Sequence, residues 1–325
     1  MPNFLQPILP YLMFIVGFVI LIKGADVAID GASSIAKKFK ISNLVIGLTI
    51  VAFGTSAPEL LVSVTSGLKG STDLAITNVI GSNISNILLI LGIAGLIFPL
   101  RVERGTVWKE IPFALLGVIV IYLVANDALI DGLSTSAITR IDGLVMLGFF
   151  GIFMYYVYGI SKITGPEEKN TTKIYGTVKS LVFLVLGFAG LVLGSDWVVS
   201  GAVYIAGSFG LSESLIGLTI VAIGTSLPEL AASAMAAYKG NSDIAIGNVV
   251  GSNIFNSFFV LGVASTITPL SFSPEINIDI VICIIVTLIL FSALFVGKKH
   301  HIERWQAAFF LCFYVGYIVY LVMRG

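Results

Sequence analysis

The sequence has few of the residues on which metalloenzymes and soluble domains depend. Its 325 residues include two cysteines and two histidines, and charged residues make up only 11% of the chain. Cys283 and Cys312 lie singly in apolar runs, without the spacing of a zinc site or a redox pair. We therefore interpret both as small apolar residues. So little charge excludes an ordinary soluble globular domain.

Long apolar segments dominate what is present. The chain is 57% hydrophobic with a mean hydropathy of +1.03, as expected of a polytopic membrane protein. We predict an all-α protein with ten transmembrane helices, the first of them a retained span and not a signal peptide. The segments are 8–36, 41–68, 72–99, 109–125, 140–160, 177–207, 211–238, 242–269, 277–297 and 305–323. A hydrophilic linker at 161–176 separates a first half, 1–160, from a second half, 177–325.

The basic residues are unevenly distributed over the loops. The loops that follow the odd-numbered segments contain 14 of the 18 Lys and Arg residues. By the positive-inside rule these loops and the linker are cytoplasmic. Both termini are then expected on the non-cytoplasmic side.

The two halves repeat each other. Residues 41–100 align with 211–270 without a gap, and 33 of the 60 positions are identical. Since each half has five spans, an odd number, the halves enter the membrane from opposite sides. Such inverted repeats place a substrate site near the midplane, at the interface between the repeats.

The first repeated motif places a glutamate in an apolar run. It reads GLTIVAFGTSAPEL at 47–60 and GLTIVAIGTSLPEL at 217–230. A carboxylate at that depth costs about 2.5–3.5 kcal/mol and usually has a partner and a function. Pro58 removes a backbone donor, so we expect the second and seventh helices to be broken, with free carbonyls near Ala52–Thr55. Helical spacing then places the oxygens of one face together: Ala52, Thr55, Ser56 and Glu59, and in the second half Ala222, Thr225, Ser226 and Glu229.

The second repeated motif is GSNIxN, at 81–86 and 251–256. Asn78, Ser82 and Asn86 are four residues apart and form a polar stripe, and Asn248, Ser252 and Asn256 repeat it. Polar residues in a membrane helix often only join helices. Their duplication beside a duplicated glutamate favours ligands, so Ser82, Asn86, Ser252 and Asn256 are candidates.

Carboxylate, hydroxyl, amide and carbonyl oxygens together indicate a site for a hard cation. Ca²⁺ takes six to eight such oxygens, and no His or Cys lies near the motifs to favour zinc or copper. Two carboxylates match the charge of one Ca²⁺ or of two or three monovalent ions. One pocket can therefore hold either load, as an exchanger requires.

GTSAPE and GTSLPE, each followed by GSNIxN, resemble the alpha repeats of the cation/calcium antiporter superfamily, in its prokaryotic-type sodium/calcium exchanger branch. The resemblance implies Ca²⁺ held by Glu59 and Glu229 with backbone oxygens of Thr55 and Thr225, and a ratio of three Na⁺ to one Ca²⁺. It also implies Na⁺ sites that use Ala52, Ser56 and Ser82, with Ala222, Ser226 and Ser252. The first and sixth spans would slide to alternate access. Asn86 and Asn256 resemble the potassium-independent type, because the potassium-dependent branch, and some prokaryotic members, have Asp at the position of Asn256.

The resemblance further implies the plasma (inner) membrane of a prokaryote, a lipid bilayer as surroundings, no cofactor, no nucleic-acid partner and a functional monomer. An H⁺/Ca²⁺ exchanger of the same superfamily is the alternative. A cation channel is a distant one, because nothing resembles a filter, and an intramembrane enzyme lacks catalytic context around the glutamates. Asp26 and Asp30 are expected to make structural ion pairs, with Lys23 within reach of Asp26.

Overall fold

The computed structural model describes residues 9–162, 174–209 and 222–324. Its first half is mainly helical and contains two short strands. The helices are α1 (Leu9–Phe39), α2 (Asn43–Ile46), α3 (Ala52–Thr55), α4 (Ala57–Leu68), α5 (Thr72–Ser85), α6 (Leu91–Ile97), α7 (Arg104–Trp108), α8 (Glu110–Val124), α9 (Asp127–Ile130) and α10 (Arg140–Ser161). The strands are β1 (Leu100–Arg101) and β2 (Ala137–Ile138), and π-helical turns join α2 to α3 (Gly47–Val51) and α5 to α6 (Asn86–Ile90).

The second half repeats this order of elements. Its helices are α11 (Thr177–Ser208), α12 (Ala222–Gly224), α13 (Leu227–Tyr238), α14 (Ser242–Ile254), α15 (Leu261–Ile267), α16 (Asn277–Ala293) and α17 (Arg304–Arg324). The strands are β3 (Leu270–Ser271) and β4 (His301–Ile302). A π-helical turn, Phe255–Val260, joins α14 to α15, and a 3₁₀ turn, Pro274–Ile276, precedes α16.

The membrane spans agree with the sequence prediction. Within the described ranges, eight helical spans are long and apolar enough to cross a bilayer, and a ninth is the bent pair Asn43–Thr55 and Ala57–Leu68. The bend between the two members of that pair is 45°. Residues 211–221, which are part of the predicted seventh span, lie outside the described residues. The all-helical, polytopic architecture is therefore confirmed, with the second helix broken where Pro58 predicts it.

The first and sixth spans, α1 and α11, pack along each other over most of their length. Glycines make this approach possible. A Cβ at Gly24 would lie 2.8 Å from backbone atoms of Gly190 and Leu191, and one at Gly187 would lie 2.5 Å from the backbone nitrogen of Ala28. Backbones this close leave no room for side chains between them. The two long helices therefore form a tightly joined pair on the outside of the other spans.

The core of the molecule is formed where the third span of one half meets the broken span of the other. Every residue of α14 is buried. A Cβ at Gly251 would lie 2.8 Å from the carbonyl oxygen of Leu48, so α14 touches the turn that precedes the break in the second span. This crossing brings the two repeated motifs of opposite halves into contact.

Two antiparallel pairs of short strands connect loops of the two halves. Leu100 and Arg101 of β1 pair with Ile302 and His301 of β4, and Ala137 and Ile138 of β2 pair with Ser271 and Leu270 of β3. Each pair joins a loop of the first half to a loop of the second.

An ion-pair cluster joins α1 to the end of α13. The Nζ atom of Lys239 lies 2.7 Å from Asp26 Oδ1 and 2.6 Å from Asp30 Oδ1, and it also donates to the carbonyl oxygen of Asp26 at 2.8 Å. The two aspartates do make ion pairs, as expected. The expectation that Lys23 pairs with Asp26 is wrong, because the cation is Lys239, at the end of the seventh span and not on the same helix.

Candidate cation-binding site

The break in the second span creates the first half of the site. Ser56 is the N-cap residue of α4, and Pro58 lies in its first turn, where the missing N–H costs nothing. The side chain of Ser56 makes no capping hydrogen bond. Its hydroxyl is therefore available for contacts with the opposite half.

The expected row of free carbonyls at the break is only partly correct. The carbonyl oxygen of Ala52 accepts the N–H of Ser56 at 2.9 Å and the hydroxyl of Thr55 at 3.3 Å. The carbonyl of Ala52 is therefore not free, whereas the proline deprives the carbonyl of Gly54 of its donor. In the second half, the N–H of Ser226 donates to the carbonyl oxygen of Ile223 at 3.1 Å. The acceptor is three residues back instead of four, so this turn is tighter than the one at Ser56.

Glu59 and Glu229 are buried at the interface between the halves. The two residues are 0% and 1% exposed, and Ser56, three residues before Glu59, donates to the carboxylate of Glu229. Burying one carboxylate without a counter-charge is costly, and burying two near each other more so. The arrangement is therefore suited to a bound cation.

Serines of both motifs contact the glutamates. The hydroxyl of Ser56 donates to Glu229 Oε1 at 3.0 Å, and its oxygen is 3.0 Å from Ser252 Oγ. On the other side, the hydroxyl of Ser82 donates to Glu59 Oε1 at 3.3 Å, and that of Ser226 donates to Ser82 Oγ at 3.2 Å. Each carboxylate thus has one oxygen held by a serine.

The threonines of the first motif are held by asparagines of the opposite half. Thr55 donates to Asn248 Oδ1 at 3.1 Å, and Thr225 donates to Asn78 Oδ1 at 3.5 Å. Asn248 in turn donates to Ser233 Oγ at 2.9 Å and to the carbonyl of Glu229 at 3.4 Å. Asn78 repeats both contacts, with Ser63 and Glu59. These amides fix the turns that present the glutamates.

Seven buried side-chain oxygens have no hydrogen-bond partner in the part of the chain that the structure describes; three of them belong to Ser85, Thr106 and Glu110. The other four occupy matching positions of the two repeats: Oε2 of Glu59 and Glu229, and Oδ1 of Asn86 and Asn256. Buried oxygens without a donor are rare and call for an explanation. Carboxylate and amide oxygens of this kind are ligands of hard cations.

The structure brings the predicted site residues together from both halves. Hydrogen bonds join six of them into two matching groups, each with residues of both halves: Ser56 with Glu229 and Ser252, and Ser82 with Glu59 and Ser226. Thr55, Thr225, Asn86 and Asn256 make their own contacts with asparagines of the opposite half. Ala52 is buried beside Thr55. Ala222 begins α12 at the matching position.

Sequence reasoning missed several residues around this cluster. Asn83 and Asn253 belong to the same GSNIxN motifs but lie outside the set of predicted site residues. The π-helical turns Asn86–Ile90 and Phe255–Val260 were missed as well. Each begins at or next to a site amide, and π-helical turns often occur at functional sites. The duplication of the whole GSN triplet was the signal available in the sequence.

The family model described as sodium/calcium exchanger protein matches residues 9–159 and 179–323. This chain belongs to that family. CaxA of Alkalimonas amylolytica is 41% identical to this exchanger over 312 residues, covering 93% of this chain and 95% of the relative. The sodium/calcium exchanger MaX1 of Methanosarcina acetivorans is 31% identical over 343 residues, covering 96% of this chain and 98% of MaX1.

A solved structure of the sodium–calcium exchanger NCX_Mj superposes with a TM-score of 0.82. It is 36% identical to this exchanger and covers 96% of this chain and 98% of NCX_Mj. The protein is thus a secondary antiporter of the sodium/calcium exchanger type, embedded in a membrane, and not an enzyme. The family resemblance expected from the motifs is confirmed.

Proposed function

We propose that this exchanger binds its transported ions between Glu59 and Glu229 and exchanges three Na⁺ for one Ca²⁺. One observation carries the proposal. Two carboxylate oxygens and two amide oxygens, matched between the halves, are buried without a hydrogen-bond donor in the described part of the chain. Such a set of hard oxygens fits Ca²⁺ or Na⁺ and does not favour softer metals.

The remaining candidates complete the coordination. Backbone oxygens of Thr55 and Thr225 would add to Ca²⁺, and the amide oxygens of Asn86 and Asn256 would reach it directly or through water. For Na⁺, the serine hydroxyls and the carbonyls of the two alanines supply neutral oxygens beside the glutamates; these residues are Ala52, Ser56 and Ser82 in the first half and Ala222, Ser226 and Ser252 in the second.

The charge of the site predicts electrogenic exchange. With both glutamates ionised the protein part carries −2, so the Ca²⁺-loaded site is neutral and the site loaded with three Na⁺ is +1. A membrane potential of 100 mV then biases each cycle by about 2.3 kcal/mol. Asn86 and Asn256 add oxygens without adding charge, which supports exchange that needs no K⁺.

The setting proposed for this activity is the plasma (inner) membrane of a prokaryote, with both termini on the non-cytoplasmic side and a monomer as the functional unit. The distribution of Lys and Arg supports the orientation. The tightly packed pair α1 and α11 would move as the element that alternates access.

Flux through the purified full-length chain in proteoliposomes tests the proposal. We expect ⁴⁵Ca²⁺ uptake driven by an outward Na⁺ gradient, unchanged when all K⁺ is replaced by choline. In a separate arm, a K⁺–valinomycin potential should accelerate or slow uptake according to its sign. Uptake driven by a pH gradient and not by Na⁺ would instead establish an H⁺/Ca²⁺ exchanger. Uptake without any counter-ion gradient would indicate a channel.

A further inference from the structure

Asn83 and Asn253, which lie outside the proposed ligand set, connect the two halves beside the site. Asn86 donates its Nδ2 to Asn253 Oδ1 at 2.9 Å, and Asn256 donates its Nδ2 to Asn83 Oδ1 at 3.2 Å. All four side chains are at most 3% exposed. Each candidate ligand amide is therefore held by an asparagine of the opposite repeat.

These hydrogen bonds decide which end of each ligand amide is free. An asparagine side chain has a donor end and an acceptor end of nearly the same shape. Because Asn83 and Asn253 accept the NH₂ groups, the carbonyl ends of Asn256 and Asn86 are left, and those are the oxygens without a donor in the described structure. With the amides reversed, NH₂ groups would take the place of the oxygens, and a cation would be repelled.

The two supporting asparagines are themselves held, in different ways. Asn253 donates to the backbone carbonyl of Asn83 at 3.3 Å, whereas Asn83 donates to Ser257 Oγ at 3.0 Å. The position that corresponds to Ser257 in the first half is Ile87, which has no hydroxyl. The network is thus closed by one residue that the repeat does not duplicate.

We propose that Asn83 and Asn253 are positioning residues, which orient the amide oxygens of Asn256 and Asn86 toward the transported cation across the interface between the repeats. The inference rests on the proposed function, since it requires that the amide oxygens face the ion. It differs from that proposal in assigning a role to two residues that do not contact the ion.

The role is tested by equilibrium ⁴⁵Ca²⁺ binding to the purified full-length protein, which does not depend on the counter-ion. Asn83→Leu removes the acceptor for Asn256, and we expect Ca²⁺ to bind about tenfold more weakly, the equivalent of one hydrogen bond to a charged site. Asn83→Asp keeps an acceptor oxygen in either protonation state, so it should retain the orientation of Asn256 and bind Ca²⁺ more tightly than Asn83→Leu.

Coupling between the two residues separates positioning from general damage. If Asn83 acts through Asn256, adding Asn83→Leu to Asn256→Ala should weaken binding no further. Asn126→Leu is the control: it breaks another amide pair, partly buried, in which the side chains of Asn126 and Asn277 donate to each other at 2.8 and 2.7 Å. That variant should bind Ca²⁺ as the wild type does.

Two results would overturn the inference: an equal loss from Asn83→Leu in both backgrounds, or unchanged binding in folded Asn83→Leu protein. If Asn83→Leu does not fold, Ser257→Ala replaces it, because it releases the amide of Asn83 while keeping the side chain; unchanged affinity in Ser257→Ala would count equally against it. Wild-type binding in Glu59→Gln and Glu229→Gln would instead refute the proposed site. If Glu59→Gln and Glu229→Gln lose Ca²⁺ binding but the Asn83 variants bind as the wild type does, the positioning role is refuted and the proposed site is not.

Discussion

Replacing either buried glutamate by glutamine should abolish Ca²⁺ transport and leave the protein folded. Glutamine has the same shape and keeps an oxygen that can accept the hydroxyl of Ser82, for Glu59→Gln, or of Ser56, for Glu229→Gln. What is lost is one negative charge. At 4 Å and an effective dielectric of 20, two unit charges attract by about 4 kcal/mol, and a divalent ion gains up to twice that before desolvation is subtracted.

A net loss of about 4 kcal/mol weakens Ca²⁺ binding by about a thousandfold. In the absence of ions the same change removes half of an uncompensated buried charge pair, so thermal stability in Na⁺- and Ca²⁺-free buffer should not fall. The assays are ⁴⁵Ca²⁺ uptake driven by a Na⁺ gradient, equilibrium ⁴⁵Ca²⁺ binding, and thermal unfolding in detergent.

Glu110→Gln is the matched control for this prediction. Glu110 is also fully buried, at 1% exposure, but it lies at the start of α8 and accepts a hydrogen bond from the hydroxyl of Tyr156. Its substitution should leave Ca²⁺ transport intact. Near-wild-type uptake in Glu59→Gln or Glu229→Gln, or an equal loss in Glu110→Gln, would refute the assignment of the site to the two motif glutamates.

Three further variants test other parts of the structure. Asn256→Asp adds a third carboxylate, so the Ca²⁺-loaded site becomes −1, and ⁴⁵Ca²⁺ flux should acquire a K⁺ or pH dependence that the wild type lacks. Gly187→Leu places side-chain atoms against the backbone of Ala28 and should destabilise the protein by about 1–3 kcal/mol in detergent unfolding. Lys239→Gln leaves Asp26 and Asp30 unpaired and should cost about 1 kcal/mol or less, because the partners are partly exposed, and the loss should shrink in high salt.

Each variant has its own control. Wild-type K⁺ and pH profiles in Asn256→Asp would show that position 256 does not influence the charge of the site. Gly148→Leu is the control for Gly187→Leu, since a Cβ at Gly148 meets nothing within 4 Å. Equal destabilisation of both variants would contradict the close packing of α1 on α11. Lys69→Gln is the control for Lys239→Gln. A salt-sensitive loss of stability in both variants would contradict the role given to the ion-pair cluster.

The architecture and the burial of the two motif glutamates are predictable from the sequence because both depend on local signals. Apolar length defines the spans, Pro58 predicts the break, and Glu59 stands out because a carboxylate is costly in hydrocarbon. Duplication then places Glu229 beside it, since inverted repeats meet at the midplane. These inferences need no knowledge of how the helices pack.

What the sequence did not predict depends on contacts between helices. Helical spacing placed Asn78 and Asn86 on one stripe but could not show that their partners come from the opposite half, at Thr225 and Asn253. The π-helical turns add a residue to a helical turn and shift the face that follows, which a regular period does not reveal. The partner of Asp26 was missed for the same reason, because Lys239 is distant in sequence.

The ion pairs of Lys239 join α1 to the end of α13, and among the described residues the corresponding ones of the opposite repeats are not joined in this way. Lys69 and Asp196 occupy the positions in the opposite repeats that correspond to Lys239 and Asp26, yet no salt bridge joins them in the structure as described. Moving α1 away from α13 must therefore break a cluster of one cation and two carboxylates. Moving α11 relative to α4 breaks no such contact. The two repeats, identical at 33 of 60 aligned positions, thus differ in this cluster, so the movements proposed for α1 and α11 would break different numbers of ion pairs among the described residues.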